Sequence, residues 1–289
     1  KLENVQILIV SQPLDFLRNI PNSKILQIQK WGSAKVRKLA SKFNLAIPEE
    51  EIAKIENKSE GNPLYISYLL KSSPDGIDLC PQYSGSIENY YSYLTKSEKD
   101  FQILMYVALI PFYFSKEDLV AISNRGEQTK DLLRRIEPLL KFDPVSNGYL
   151  IYHESFKRFV LKKCEENGTN PKTCLNDIIR FLKSKDFYQD DKAYWHLLNL
   201  LCETEKYDEC LNYCNYDYLF KSVYYGRSVR ATRSNLDYFR KAACEQRSYD
   251  KLNTYFLLSR TLSGQFDDLF YGADSPYYQN LFLTLFGVD

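Results

Sequence analysis

The period of the apolar positions changes several times along the chain, and each change predicts a different element. Val5 to Val10 is an unbroken apolar run rich in β-branched residues, closed by Ser11-Gln12-Pro13. Runs of this kind read as strands buried on both faces of a parallel sheet. One strand makes no sheet, so its neighbours are expected upstream. In "SKILQIQKW", Ile25, Ile28 and Trp31 suggest a short extended stretch, after which Val36, Leu39, Ala40 and Phe43 fall at helical spacing. Pro48-Glu49-Glu50-Glu51 opens a second helix, with proline in the first turn, carboxylates at the positive end of the dipole, and Ile52 and Ile55 facing inward. Gly61 then ends one helix and Pro63 starts the next.

Turn-forming residues over 74–90 read as a linker. Thr95 to Leu109 is predicted helical, "SKED" at Ser115 to Asp118 is a capping-box-like start for a second helix, and Glu127 to Leu140 gives a third. Two short strands follow, joined by a turn with Asn147-Gly148, a strong hairpin signal, and a helix runs from Glu154 to Lys163. Three helices, a β-wing and a closing helix make a winged-helix arrangement. From Thr173 the pattern is helical throughout. Leu175, Ile178, Ile179 and Leu182 form one stripe, and Trp195, Leu198, Leu201 and Cys202 another. "EKYDECLNYC" and "QRSYDKLNTYF" repeat a Tyr-Asp helix opening at a spacing of about 40 residues, as in a tetratricopeptide-like solenoid of helix pairs.

Composition narrows the function classes. Tyrosine is over-represented, with 24 Tyr against 2 Trp and 1 Met, which suits packed helical repeats whose hydroxyls find partners. A formal net charge of +1 gives no global pull toward nucleic acid or anionic membrane. No apolar run approaches about 18 residues and no signal-peptide pattern opens the chain, so a cytoplasmic protein with reduced thiols and no membrane partner is expected. Cys202, Cys210 and Cys214 with His196 could be drawn as a zinc site. Their spacing fits no compact zinc pattern, and Cys210 and Cys214 are expected on one helix face, so they read as core thiols and no metal site is assigned. The chain starts at Lys1 on a strand-like run and stops at Asp289 inside an apolar one, and is therefore expected to be a piece of a longer protein.

The order of the parts carries a resemblance. A buried strand ending Ser11-Gln12-Pro13, a helical lid with Gly61-Asn62-Pro63-Leu64, a winged helix with Tyr152-His153-Glu154-Ser155-Phe156 and a helical array resemble the STAND class of signalling NTPases. That class includes NACHT, NB-ARC and bacterial antiviral proteins. The resemblance implies a mainly α chain with the end of a nucleotide-binding core (1–13), a helical lid (14–74), a winged-helix domain (75–165) and an incomplete helical-repeat region (166–289). It implies ADP or ATP, with magnesium in the intact protein, as ligand. Ser11 and Gln12 would lie near the terminal phosphate, although Gln12 stands where relatives have arginine. Gly61 and Pro63 would lie by the adenine, and His153 would donate to the β-phosphate with its ring facing the lid. The implied partners are upstream nucleotide-binding and effector domains, a target protein at the repeats, and further copies on activation, in innate or antiviral defence.

Each motif also has a local reading. Gly-Asn-Pro breaks a helix, a histidine at a helix start caps or packs, and Ser-Gln-Pro is an ordinary turn. The chain contains no Gly-Lys pair, so no Walker A loop exists here and these residues assign no catalytic group. The parent is expected to be an ATPase and this segment inactive alone. Two alternatives remain: a helical-repeat adaptor with a structural winged helix, and a STAND-type transcription regulator. Against DNA binding, "EQTKDLLRRIEPLLK" mixes Arg134 and Arg135 with Glu127, Asp131 and Glu137. Arg227, Arg230, Arg233, Arg240, Lys241 and Arg247 could face an acidic partner, or simply water.

Overall fold

In the computed structural model, which describes residues 29–72, 77–95 and 97–271, helices dominate and the described strands form one two-stranded antiparallel sheet. The strand expected at Val5 to Val10, with Ser11 and Gln12, lies outside the described residues. The chain divides into two compact units, residues 1–83 and 84–289.

In the first unit α1 (Ser33–Lys42), α2 (Glu49–Ser59) and α3 (Pro63–Lys71) pack on one another. Val36, Ala40, Ile52 and Ile55 are buried as their spacing predicts, whereas Phe43 falls just past α1 and is exposed. Residues 77–83 return to α2. The Lys58 ammonium donates to the carbonyls of Ile77, Asp78 and Cys80 at 2.6–2.7 Å. Tyr83 N donates to Lys58 O at 2.9 Å, and the Gln82 amide to Asn57 O at 2.8 Å. Part of the expected linker is thus strapped to this unit, because one lysine satisfies three carbonyls that water would otherwise take.

The second unit opens with α4 (Glu88–Leu94) and α5 (Glu98–Leu109). α5 begins later than Thr95. Ser97 and Asp100 close a capping box there, while the Thr95 hydroxyl donates back to Tyr91 O at 2.8 Å. The expected box at Ser115 and Asp118 starts α6 (Lys116–Ser123). α7 (Gly126–Ile136) stops short of Leu140, since Pro138 has no N–H to continue it, and a 3-10 turn, Glu137–Leu139, follows. Strands β1 (Leu140–Asp143) and β2 (Gly148–Ile151) pair with Leu140 opposite Ile151. In the turn the left-handed residue is Asn147, at φ 47°. Gly148 answers a different need, because a Cβ there would lie 2.9 Å from Tyr113 Cβ. Phe114 and Tyr149 exchange two backbone bonds of 3.0 and 2.8 Å at that point. α8 (Glu154–Glu166) follows the hairpin, three residues longer than expected.

The array continues through α9 (Pro171–Lys183), α10 (Asp191–Glu203), α11 (Tyr207–Leu211), α12 (Asp217–Tyr224), α13 (Val229–Glu245) and α14 (Tyr249–Tyr271). Both Tyr-Asp openings start helices, at Tyr207 and Tyr249. α9 packs on α5 and α6 as well as on α10. Side-chain contacts join α5, α6 and the stretch between them to α9 and α10. The Tyr106 hydroxyl donates to Asp177 at 2.8 Å, Lys192 pairs with Asp118 at 2.5 Å, and the Phe112 and His196 rings lie 5.5 Å apart.

The second apolar stripe differs from expectation. Trp195 is exposed and Tyr194 is fully buried in its place, with Leu197, Leu198 and Leu201. Both registers satisfy helical spacing, and partners for a hydroxyl decide between them. Tyr194 Oη lies 2.9 Å from Tyr218 Oη, 2.7 Å from Ser222 Oγ and 2.9 Å from Thr232 Oγ1. Tyr194→Phe keeps the ring and removes the hydroxyl that joins these groups, each of which keeps a backbone carbonyl as partner, so an expected loss of about 1 kcal/mol should appear in urea unfolding. No helix among the described residues is long and apolar enough to cross a membrane.

Candidate functional site

His153 stands where β2 ends and α8 begins, with extended backbone, as the N-cap residue. Its Nδ1 accepts the Ser155 backbone N–H at 3.1 Å and lies 2.7 Å from Ser155 Oγ. A backbone N–H can only donate, so Nδ1 must present a lone pair and the ring proton sits on Nε2. The imidazole therefore does at this helix start what Ser or Asp does at others. It does so without using its outer nitrogen.

The junction is held from α4. Tyr91 Oη lies 2.7 Å from Ser155 Oγ, and the Tyr91 ring packs 5.1 Å from Phe156 and 5.4 Å from Phe159. Buried Phe156 anchors the first turn of α8 beneath an exposed His153. An exposed Nε2–H beside the positive end of a helix suits an oxyanion, although the Glu154 carboxylate shares that end. Protonation is not needed for this donation, and it would cost the cap its acceptor. Sequence reasoning missed Ser155 and Tyr91. Ser155 was discoverable as the residue whose N–H a cap at His153 would receive; Tyr91, 64 positions away from it, gave no local sign.

Gly61 and Pro63 are brought together in the first unit. Gly61 adopts φ +72°, and a Cβ on it would meet Trp31 N and O at 2.8 Å. Trp31 N donates to Gly61 O at 2.9 Å, so the glycine allows a close backbone approach. Asn62 caps α3 by accepting Tyr65 N–H at 3.0 Å, and its amide donates to Tyr83 Oη at 3.1 Å. Pro63 takes the first helical position, half-buried. His153 belongs to the second unit.

The thiols behave as packing groups. Cys202, Cys210 and Cys214 are buried, with the first two sulfurs 3.8 Å apart. Cys214 lies past the end of α11 at Leu211, so it does not share a helix with Cys210 as expected. Burial pushes the Cys214 thiol up to about 11. His196 packs on Phe112, and burial lowers its pKa to about 4. Among the described residues no group of three or more His, Cys, Asp or Glu is placed to hold a metal ion.

α7 buries Thr129, Leu132, Leu133 and Ile136. On its outer face Lys130 lies 3.4 Å from Glu127 and Arg134 3.8 Å from Asp131, while Arg135 turns inward to Asp100. That charge-balanced face is unlike a helix that enters a DNA groove. The chain matches no family model, no curated protein and no solved structure with which it was compared.

Proposed function

We propose that this chain is the lid, winged-helix switch and first part of the sensor of a STAND-class signalling NTPase. In the closed state, His153 Nε2–H donates to the β-phosphate of ADP, and Pro63 packs by the adenine. The observation that supports this best is the Nδ1 cap, which presents the opposite ring edge as a fixed, exposed donor. The order lid, three helices, wing, closing helix and helical array supports it at a coarser level. Phosphate-loop and magnesium-binding residues would come from the nucleotide-binding domain of the parent protein. Target binding at the repeats would favour the state that releases ADP, and exchange for ATP would free the winged helix to oligomerise in a cytoplasmic defence response. Such a switch requires the nucleotide to bind the two states unequally.

The test separates cap from donor in the nucleotide-binding parent chain. His153→Ala removes both and is expected to lose ADP and about 1 kcal/mol of stability. His153→Asn keeps an acceptor for Ser155 N–H but is too short to replace Nε2–H. It should melt like wild type and still retain ADP about tenfold to a hundredfold less well, the loss of one charge-assisted bond. If His153→Asn holds ADP as tightly as wild type, His153 is a cap alone and the nucleotide reading falls. A helical-repeat adaptor is the second reading. It is favoured by the local roles that already account for Gly61, Asn62 and Pro63.

A further inference from the structure

We propose that Cys202 and Cys210 are a peroxide-reactive thiol pair, which hydrogen peroxide converts to a disulfide that clamps the turn between α10 and α11. The inference rests on the geometry of these residues and is independent of the nucleotide reading.

Packing leaves the two sulfurs in contact, 3.8 Å apart. Cys202 sits in the last turn of α10 and Cys210 in α11, with only Thr204, Glu205 and Lys206 between the helices. Glu205 takes a left-handed φ of 59°, and Lys206 N–H donates back to Leu201 O at 2.8 Å. That tight turn folds α11 back on α10 and sets the two thiols face to face. A disulfide holds its sulfurs at about 2.05 Å, so the pair must close by about 1.8 Å. Side-chain rotation and a small shift of the five-residue α11 supply this approach.

The chemistry of the two sulfurs is unequal. Cys202 Sγ lies 3.6 Å from Tyr238 O, which can only accept. The Cys202 hydrogen therefore goes there, and its sulfur receives the hydrogen of Cys210. Burial pushes the Cys80, Cys164, Cys174 and Cys214 thiols up. Cys202 goes the other way, because the bond from Cys210 and the charge of Lys241 outweigh its burial. The same bond, with burial, pushes Cys210 up. Cys202 is thus the attacking sulfur and Cys210 the resolving one. Cys202 is only 3% exposed and Cys210 fully buried, which selects a small oxidant over a bulky disulfide.

The Cys202 thiolate attacks one peroxide oxygen and breaks the O–O bond. A sulfenic acid forms, and the departing hydroxide takes up the Cys202 proton as water. The Cys210 sulfur then attacks the Cys202 sulfur and displaces hydroxide, which leaves with the Cys210 proton as a second water. Two thiols are oxidised to a disulfide and one peroxide is reduced to two waters. The disulfide has no hydrogen for Tyr238 O, so oxidation exchanges a contact between α10 and α13 for a covalent tie between α10 and α11.

The test uses the whole chain carrying Cys244→Ser, which removes the one exposed thiol. After hydrogen peroxide and alkylation under denaturing conditions, it should lose two alkylatable thiols and the mass of two hydrogens, and regain both with dithiothreitol. Tryptic mapping should find residues 193–206 joined to 207–221, with fragment spectra placing the bond at Cys210. Cys202→Ala and Cys210→Ala should each abolish the link, whereas Cys214→Ala should form it as readily. The mapping itself needs neither variant, so it stands even if a buried substitution unfolds the chain. A bond to Cys214, sulfinic acid at Cys202 without a disulfide, or no thiol loss at peroxide levels that oxidise free cysteine would each overturn the proposal.

Discussion

Asp100→Ala should cost the second unit about 3–5 kcal/mol, because it leaves a half-buried guanidinium without its carboxylate. Arg135 Nη2 donates to Asp100 Oδ1 at 2.7 Å and Nη1 to Oδ2 at 3.0 Å, a bidentate pair with side-chain exposures of 34% and 10%. The same Nη1 reaches Leu94 O at 2.9 Å, and the same carboxylate caps α5 by accepting Ser97 N–H at 3.1 Å. One ion pair thus ties the end of α4, the start of α5 and the last turn of α7. Burial pushes its pKa up, but the Arg135 bonds and charge and the Ser97 bonds outweigh this and hold it below the ordinary value. That contribution is present above the unfolded carboxyl pKa and is lost as pH falls through the lower folded value. Urea unfolding of Asp100→Ala, Arg135→Leu and the double variant checks the argument. The double variant should recover a substantial part of the single loss, since it removes the orphaned charge. A single-variant loss below about 1 kcal/mol would place the pair with ordinary surface ion pairs.

This interaction also shows where sequence reading ended. Arg134 and Arg135 read alike in the sequence, yet one faces water and the other is the partner of a residue 35 positions earlier. Local chemistry was legible: the Ser115 box, the Pro63 start, the hairpin and the position of His153 between β2 and α8 all depend on a few adjacent residues. The rest depends on distant approach. Gly148 is fixed by Tyr113, the strap over 77–83 by Lys58, and the choice of Tyr194 over Trp195 by hydroxyls on two later helices. At the candidate site the histidine was legible, but its tautomer was not, because that is set by which neighbour donates to it.

Acid should weaken the second unit between about pH 6.5 and 4, by as much as about 3 kcal/mol. Burial beside Phe112 lowers the His196 pKa to about 4 from 6.5, so in this window the unfolded chain takes a proton that the folded chain refuses. Stability therefore rises with pH across the window and levels off above it. His196→Gln keeps a neutral group of similar length and should flatten the slope, while Asp100 contributes only at lower pH. Chemical unfolding at half-unit pH steps measures this. A wild-type profile already flat from pH 6.5 to 5 would mean that His196 accepts its proton in place.

His196, Lys192 and Asp177 all lie along the line where the array meets α5, α6 and the stretch between them. α9 packs against α5, α6 and α10, so it mounts the array on the helices before it. Grafting a different array onto the chain at residue 166 would break the mounting, and a working exchange would have to carry α9 along with the helices that grip it.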